Sequence, residues 1–477
     1  MSSASQEFDV IVIGSGPSGR NVSTKLAEKK LSVSIIESEL VGGDCHYWAC
    51  IPSKALLRPP EALQEAKAVP GAKQAIKGSL SNEDVFKRRD FLVDNWVDNR
   101  LQKSLEQRGI TVLHGKGRLN GTKKVAVLQS NGAQTELVAK IAVVLATGSS
   151  AAMPNIQGLT EVRPWISRDI TSAKAVPASL AIIGGGIVAC EMASAWSALG
   201  TQVTIIEHGE RLLNRYEPFV GKQIMAIFQS KGINAFTKTN VQKVKRGQQN
   251  YIELVLGNGN LLVAEELLVA AGRQPNTQDL GLETVNLTPG NWVEVDDRCL
   301  VKGVNGQWLY AVGDINHRAL VTHAGKYQAK ICAHNILTHQ TGAEQKSSVW
   351  SKIMARSDLF ALPQVIFTDP QVAMVGLTEE NALNSGLKVH AVDYDLAKLA
   401  GAKLHSDEYH GQARIVVDGD RQVLVGATFI GPQVGELLHA ATVAIVGEVQ
   451  LDRLWHVIPA FPTISEVWLG LLESYGI

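Results

Sequence analysis

No apolar run in the 477 residues approaches the ~18 consecutive positions that cross a bilayer. The strongest, Val10-Ile11-Val12-Ile13 and Ile141-Ala142-Val143-Val144-Leu145, give way to glycine after strand length, so no membrane span is expected. Cysteine is scarce. The five residues, Cys45, Cys50, Cys190, Cys299 and Cys332, are too few in so long a chain for a secreted disulfide framework. The opening residues Met1 to Gly14 carry neither a charged n-region nor a long apolar h-region, and the expected compartment is the cytoplasm. Net charge is also missing: 46 Lys plus Arg balance 46 Asp plus Glu, so no global basic field draws nucleic acid, and no nucleic-acid partner is expected. With 45% hydrophobic and 19% charged residues the chain is too apolar for disorder. At roughly 100–200 residues per domain, the length predicts two to four domains of α/β type.

An internal repeat is the most informative feature present. Asp9-Val10-Ile11-Val12-Ile13-Gly14-Ser15-Gly16-Pro17-Ser18-Gly19 recurs, 170 residues on, as Leu180-Ala181-Ile182-Ile183-Gly184-Gly185-Gly186-Ile187-Val188-Ala189. Each copy reads as a buried strand, a glycine turn and a helix. The following strands repeat at the same offset, Ser32-Val33-Ser34-Ile35-Ile36-Glu37 against Gln202-Val203-Thr204-Ile205-Ile206-Glu207. Gly14 and Gly184 permit the tight turn. Gly16 and Gly186 let a pyrophosphate approach the backbone at the helix N-terminus, and Gly19 and Ala189 allow close helix–strand packing. Glu37 and Glu207 end the second strands, where a carboxylate accepts hydrogen bonds from a ribose diol. Two nucleotide-binding βαβ units are therefore expected.

Between and after these units, Asn82 to Gly109 reads as a helical hairpin and Lys124 to Leu128 as a strand. Three further strands run into glycine, at Ala146-Thr147-Gly148-Ser149, Ala270-Ala271-Gly272-Arg273 and Leu309-Tyr310-Ala311-Val312-Gly313-Asp314. From about Trp350 alternating strands such as Arg414 to Val417 and Val423 to Phe429 mark a separate α+β domain.

After the first unit comes Gly42-Gly43-Asp44-Cys45-His46-Tyr47-Trp48-Ala49-Cys50-Ile51-Pro52-Ser53-Lys54. Cysteines five positions apart can close a disulfide over a short loop, supply half a zinc site, or be two unrelated thiols. Pro52 suits the first turn of a helix, which places Cys50 at its positive end and favours the thiolate. Cys190, Cys299 and Cys332 stand alone and read as small buried hydrophobes.

With the paired glycine motifs, the cysteine motif and the ATG, AAGR and GD segments together, the chain resembles the pyridine nucleotide-disulfide oxidoreductases over nearly its whole length. That flavoprotein family includes dihydrolipoamide dehydrogenase, glutathione reductase and mercuric reductase. The resemblance implies an α/β fold with two Rossmann-like dinucleotide-binding domains and a C-terminal α+β dimerisation domain. It implies an FAD domain over residues 1–152 and 279–348, a nicotinamide domain over 153–278, an interface domain over 349–477, and a homodimer. FAD is expected at Gly14, Gly16, Gly19, Glu37 and Gly43, with Thr147, Gly148, Gly272, Gly313 and Asp314 also at cofactor sites. NADH, preferred, or NADPH is expected at Gly184, Gly186 and Glu207, because a carboxylate repels a 2′-phosphate. Lys54 is similar to the family lysine that pairs beside the flavin with a glutamate, here Glu191. By the same resemblance Cys50 is the flavin-proximal thiol and Cys45 the interchange thiol that attacks a small-molecule acceptor.

Several residues depart from that pattern. The family's C-terminal acid–base histidine, which reaches in from the partner subunit, is Phe461, in Pro459-Ala460-Phe461-Pro462-Thr463-Ile464-Ser465-Glu466. Glu466, which elsewhere orients that histidine, is expected to have lost its partner. His46, Tyr47 and Trp48 are bulkier than the residues usual between the cysteines and are expected to pack, with His46 the alternative base. Pro59-Pro60 is expected to kink the following helix. His439 and His456 read as interface histidines. The C-terminal cysteine pair of mercuric reductase is missing from Leu471 to Ile477, and Phe461 counts against lipoamide and glutathione disulfide. The expected activity is NAD(P)H oxidation with electrons passed through Cys45 and Cys50 to a disulfide or other electrophile. The alternatives are a quinone or metal-ion reductase fed directly from flavin, and a flavin-bearing interaction subunit without turnover.

Overall fold

The buried run Val10 to Ile13 forms β1 (Gln6–Ile13) because apolar side chains on both faces suit a strand covered on both sides. The structure is a computed structural model that describes residues 6–341 and 350–477. Two compact units divide the chain: Met1–Pro52, Asp90–Ala152 and Arg273–Leu359 form the first, and Ser53–Arg89, Met153–Gly272 and Phe360–Ile477 the second. The expected boundary at 348/349 lies outside the described residues. Five helices carry the sites: α1 (Pro17–Ala27), α2 (Gly43–Tyr47), α3 (Cys50–Lys67), α4 (Ile187–Ala198) and α5 (Thr322–Thr341).

In the first unit β1 is followed by β2 (Val33–Glu37), β3 (Ile110–His114), β4 (Lys116–Leu119), β5 (Lys124–Leu128) and β6 (Gln134–Leu145). They form a sheet in the order β3-β2-β1-β6-β5-β4, and the short strand Leu309–Ala311 also pairs with β6. The pairs β2–β3, β1–β2 and β1–β6 are parallel, with Ile13 opposite both Ile36 and Leu145, so the strands end together at the glycine turns. The order reverses at β1, where open α/β sheets place ligands. Residues 82–109 hold two helices, Asn82–Leu92 and Asn99–Glu106.

The second unit repeats the device. Strands β7 (Ser179–Ile183), β8 (Gln202–Ile206), β9 (Asn234–Phe236) and β10 (Glu266–Val269) form an all-parallel sheet ordered β9-β8-β7-β10. The helix α4 packs Ala189, Cys190, Met192, Ala193 and Trp196 into a core with Ile182 and Ile205. The same unit holds an antiparallel sheet of β11 (Pro363–Ile366), β12 (Gln371–Gly376), β13 (Val389–Asp395), β14 (Gln412–Asp418) and β15 (Val423–Gly431), ordered β11-β12-β15-β14-β13. Pro59 and Pro60 lie inside α3, which runs from Cys50 to Lys67 without a break. Two missing amide donors do not interrupt a helix whose Leu56 and Leu57 are packed into the core.

Candidate functional site

The first glycine turn is shaped for a phosphate. A Cβ on Gly14, where φ is +101°, would collide with the Ala146 carbonyl, and one on Gly19 would collide with the Gly14 carbonyl. At Gly16 the same construction meets nothing within 4 Å. Gly16 caps α1 with no side-chain hydrogen bond, so the first-turn amides face open space. Gly43, with φ of +65°, sits against this turn, its virtual Cβ 2.7 Å from Gly16 Cα. Glu37 is buried at the end of β2 and accepts from Ser15 N (2.9 Å), Ser15 Oγ (2.6 Å) and Glu39 N (2.9 Å). Asp314 accepts from Ser149 Oγ at 2.6 Å, with Arg273 Nε 3.6 Å away. Thr147 Oγ1 donates to the Asn276 carbonyl at 2.9 Å, and Gly148 and Gly313 both take positive φ.

In the second unit the pattern recurs residue for residue. Gly184 has φ of +111° against the Ala270 carbonyl, and Gly186 caps α4 without a side-chain bond and with nothing within 4 Å of its virtual Cβ. Ala189 is fully buried at the position of Gly19, so this helix seats one methyl more. Glu207 is buried, accepts from Gly209 N at 2.5 Å and lies 3.2 Å from His208 Nδ1. Gly272 follows β10 with φ of +136°. Open turns, uncapped helix starts and strand-end carboxylates fit two dinucleotides, FAD and a nicotinamide cofactor.

These turns give a discriminating test. Gly16→Ala should leave the apoprotein's Tm nearly unchanged yet weaken FAD binding about tenfold or more, because the methyl occupies only the phosphate's space. Gly19→Ala should destabilise the fold itself by ~1–3 kcal/mol. Thermal unfolding with and without FAD checks both, and equal effects would contradict the assignment.

Cys45 lies in α2 and Cys50 opens α3, both as free thiols with Sγ atoms 2.8 Å apart. Thr322 Oγ1, at the start of α5, is 3.3 Å from Cys50 Sγ. The Cys45 thiol is pushed up, first by its hydrogen bond to Cys50, then by burial and by charge on Cys50; the Thr322 hydroxyl and Lys326 act in the opposite sense. His46 does not stand free. Its Nε2 is 2.9 Å from Asp94 Oδ2, and Arg100 binds both oxygens of that carboxylate at 3.0 and 2.7 Å. Arg100 first, and then His46, hold the Asp94 carboxyl below its usual range against burial. Among the described residues no group of three His, Cys, Asp or Glu side chains is placed to hold a metal.

Lys54 and Glu191 meet in the second unit. Lys54 Nζ donates to Glu191 Oε2 at 2.7 Å, and Phe367 N donates to Oε1 at 3.0 Å. Lys54 Nζ also stands 4.9 Å from the Phe367 ring centroid. Phe461 is 76% exposed, and Glu466 Oε2 is buried with no hydrogen-bond partner among the described residues. His439 and His456 are exposed. Cys190, Cys299 and Cys332 are fully buried in apolar cores, which pushes each thiol up.

Residues not singled out by sequence complete these sites: Ser15, Asp94, Arg100, Thr322, Lys326 and Phe367. Ser15 lies within the first glycine turn, whereas the others come from distant segments that no local pattern marks, Thr322 lying 272 positions from Cys50.

Residues 8–333 match the model of the pyridine nucleotide-disulphide oxidoreductases, and residues 362–471 that family's dimerisation domain. The chain is 31% identical to a dihydrolipoyl dehydrogenase of Chlamydia pneumoniae over 471 residues, 97% of this chain and 96% of that one. It is 30% identical to a mercuric reductase of Staphylococcus aureus over 464 residues, 96% and 81% of the two chains. Its fold matches a Cu(II) complex of the HOCl-induced flavoprotein disulfide reductase RclA from Escherichia coli (TM-score 0.83, 22% identity, 98% and 99% coverage). LpdA from Mycobacterium tuberculosis matches with a TM-score of 0.84, at 20% identity and 99% and 100% coverage. The chain belongs to the pyridine nucleotide-disulfide oxidoreductases, a family of FAD- and NAD(P)-dependent enzymes, and is an oxidoreductase with a dimerisation domain.

Proposed function

We propose that this enzyme oxidises NADH and carries the electron pair through Cys45 and Cys50 to a small disulfide or similar electrophile. The observation that carries this reading is the pair of thiols 2.8 Å apart in the unit that holds the first glycine cradle. FAD, held at the first glycine cradle, would supply the two-electron chemistry that links a nicotinamide to the thiols. The chain's own residues do the rest. Glu37 and Asp314 bind hydroxyls of the flavin nucleotide, and the α1 amides bind its phosphates. Glu207 accepts from the ribose diol and repels a 2′-phosphate. The pair Lys54–Glu191, with Glu191 fixed by Phe367 N, is a positioned charge for the flavin–nicotinamide chemistry. In the reduced dithiol, Cys45 attacks the acceptor sulfur, and Cys50 then closes the disulfide and releases the second thiolate.

Phe461 shapes the range of acceptors. Phenylalanine transfers no proton, so exchange works best where the leaving thiolate needs none. The protein works as a homodimer, built through the dimerisation domain. It should purify yellow, with one FAD per chain, and be reduced faster by NADH than by NADPH. Stopped-flow reduction by the two nicotinamides checks the role of Glu207, and a preference for NADPH would overturn it. An anaerobic acceptor panel tests the reaction class: each NADH consumed should yield two thiols from an activated aromatic disulfide. NADH oxidation that liberates no thiol from any disulfide and proceeds only with quinones or metal ions would refute the dithiol route.

A further inference from the structure

The first turns of α1 and α5 are pressed together: a Cβ on Gly325 would collide with Ser18 Oγ and stand 3.1 Å from Gly313 Cα. The start of α2 lies against α1 through Gly43 and Gly16, and Arg20, whose amide donates to the Gly16 carbonyl at 3.0 Å, is one turn along α1. Lys326 is one turn beyond Thr322 on α5, on the face that meets the cysteines. Arg20 and Lys326 thus stand on the two helices that adjoin the cysteine loop, and each feels the charge of Cys45 or acts on it. Arg20 is partly buried, and its Nε is buried with no hydrogen-bond partner among the described residues. A guanidinium in such a place is costly unless a negative charge faces it for part of the cycle.

We propose that Arg20 and Lys326 hold Cys45 as a thiolate during exchange with a disulfide acceptor, supplying by charge what a histidine supplies by proton transfer. This rests on the dithiol reading of the site. All three groups lie in the same unit: the charge of Cys45 partly opposes the lowering that burial imposes on Arg20, and Lys326 opposes the groups that push Cys45 up. The other titratable groups on the surrounding elements include Cys50 on α3, His46 (paired with Asp94) and Tyr47 on α2, His323 on α5 and Arg100 near Arg20; Asp44 is drawn to Arg273 at 3.8 Å.

The step balances without a proton donor. The Cys45 thiolate forms a bond to one acceptor sulfur, and the acceptor S–S bond breaks with its electron pair leaving on the other sulfur. The Cys50 thiolate then bonds to Cys45 Sγ and expels the second acceptor thiolate. Two electrons pass from the dithiolate to the acceptor, and NADH restores them through FAD. The acceptor class that suits this site is a disulfide whose thiols have low pKa, because nothing protonates them as they leave.

The test is alkylation of Cys45 by uncharged iodoacetamide in the FAD-loaded Cys50→Ser protein, followed by mass spectrometry from pH 5 to 10. Lys326→Gln should slow alkylation at pH 7 by about three- to tenfold and move the midpoint to higher pH, whereas Lys326→Arg should restore it. Arg20→Gln should act in the same direction where flavin content shows the protein folded. Profiles of Lys326→Gln that superimpose on the parent would overturn the proposal. Alkylation needs no turnover, so that failure is distinct from failure of the dithiol reading, which shows as absent disulfide reduction in the unsubstituted enzyme.

Discussion

Cys45→Ser and Cys50→Ser should each lower NADH-driven disulfide reduction by about 10³-fold or more, while FAD content and NADH binding stay intact. A serine hydroxyl can neither form the mixed disulfide nor close the second bond, so loss of either partner removes the whole exchange sequence. The two sulfurs lie 2.8 Å apart because α2 ends at Tyr47 and α3 restarts at Cys50, which returns the chain within five residues. Of the residues expected at the flavin nucleotide, Gly14 to Gly19, Glu37 and Asp314 belong to other segments, and Gly43, which opens α2, is left unchanged by either serine. Quinone reduction in the serine variants should therefore persist. If disulfide reduction persists as well, electrons do not travel through the cysteine pair.

Phe461→His should raise the rate with lipoamide by about 10²-fold, the lower end of what general acid–base assistance contributes. Glu466 Oε2 is buried and without a partner among the described residues, five positions after Phe461, and a buried carboxylate oxygen in that condition is a ready acceptor for an imidazole N–H. The gain should be confined to acceptors with high-pKa leaving thiols and be small for activated aromatic disulfides. Adding Glu466→Gln to Phe461→His should remove most of the gain, because the ring loses the carboxylate that orients it. An unchanged lipoamide rate in Phe461→His, with the dimer intact, would show that the carboxylate serves only the fold.

The parts of the molecule that the sequence discloses are those that depend on neighbours along the chain. Gly14 and Gly19 leave no room for a Cβ and Gly16 keeps its space open, and the second copy repeats this at Gly184 and Gly186, with Ala189 seating one methyl more. Cys45 and Cys50 are close in space because they are close in the chain. Pro59 and Pro60 are a local breaker signal, and that the helix nevertheless continues to Lys67 depends on the tertiary packing of Leu56 and Leu57, which no local pattern states. His46 reads as packing or as a base, but its carboxylate partner Asp94 is 48 positions away, in a segment with no distinguishing pattern. Arg20 sits in plain view after the third glycine, yet its significance depends on which groups surround it, and Lys326 is one exposed lysine among many until α5 is placed beside the cysteines.

Electron counting tests the central claim most directly. Anaerobic titration of the FAD-loaded enzyme with dithionite should take up two electron pairs per chain, with two iodoacetamide-reactive thiols appearing at Cys45 and Cys50. The Cys45→Ser and Cys50→Ser proteins should take up one pair. Uptake of a single pair by the unsubstituted enzyme, with no new reactive thiol at either position, would contradict the account.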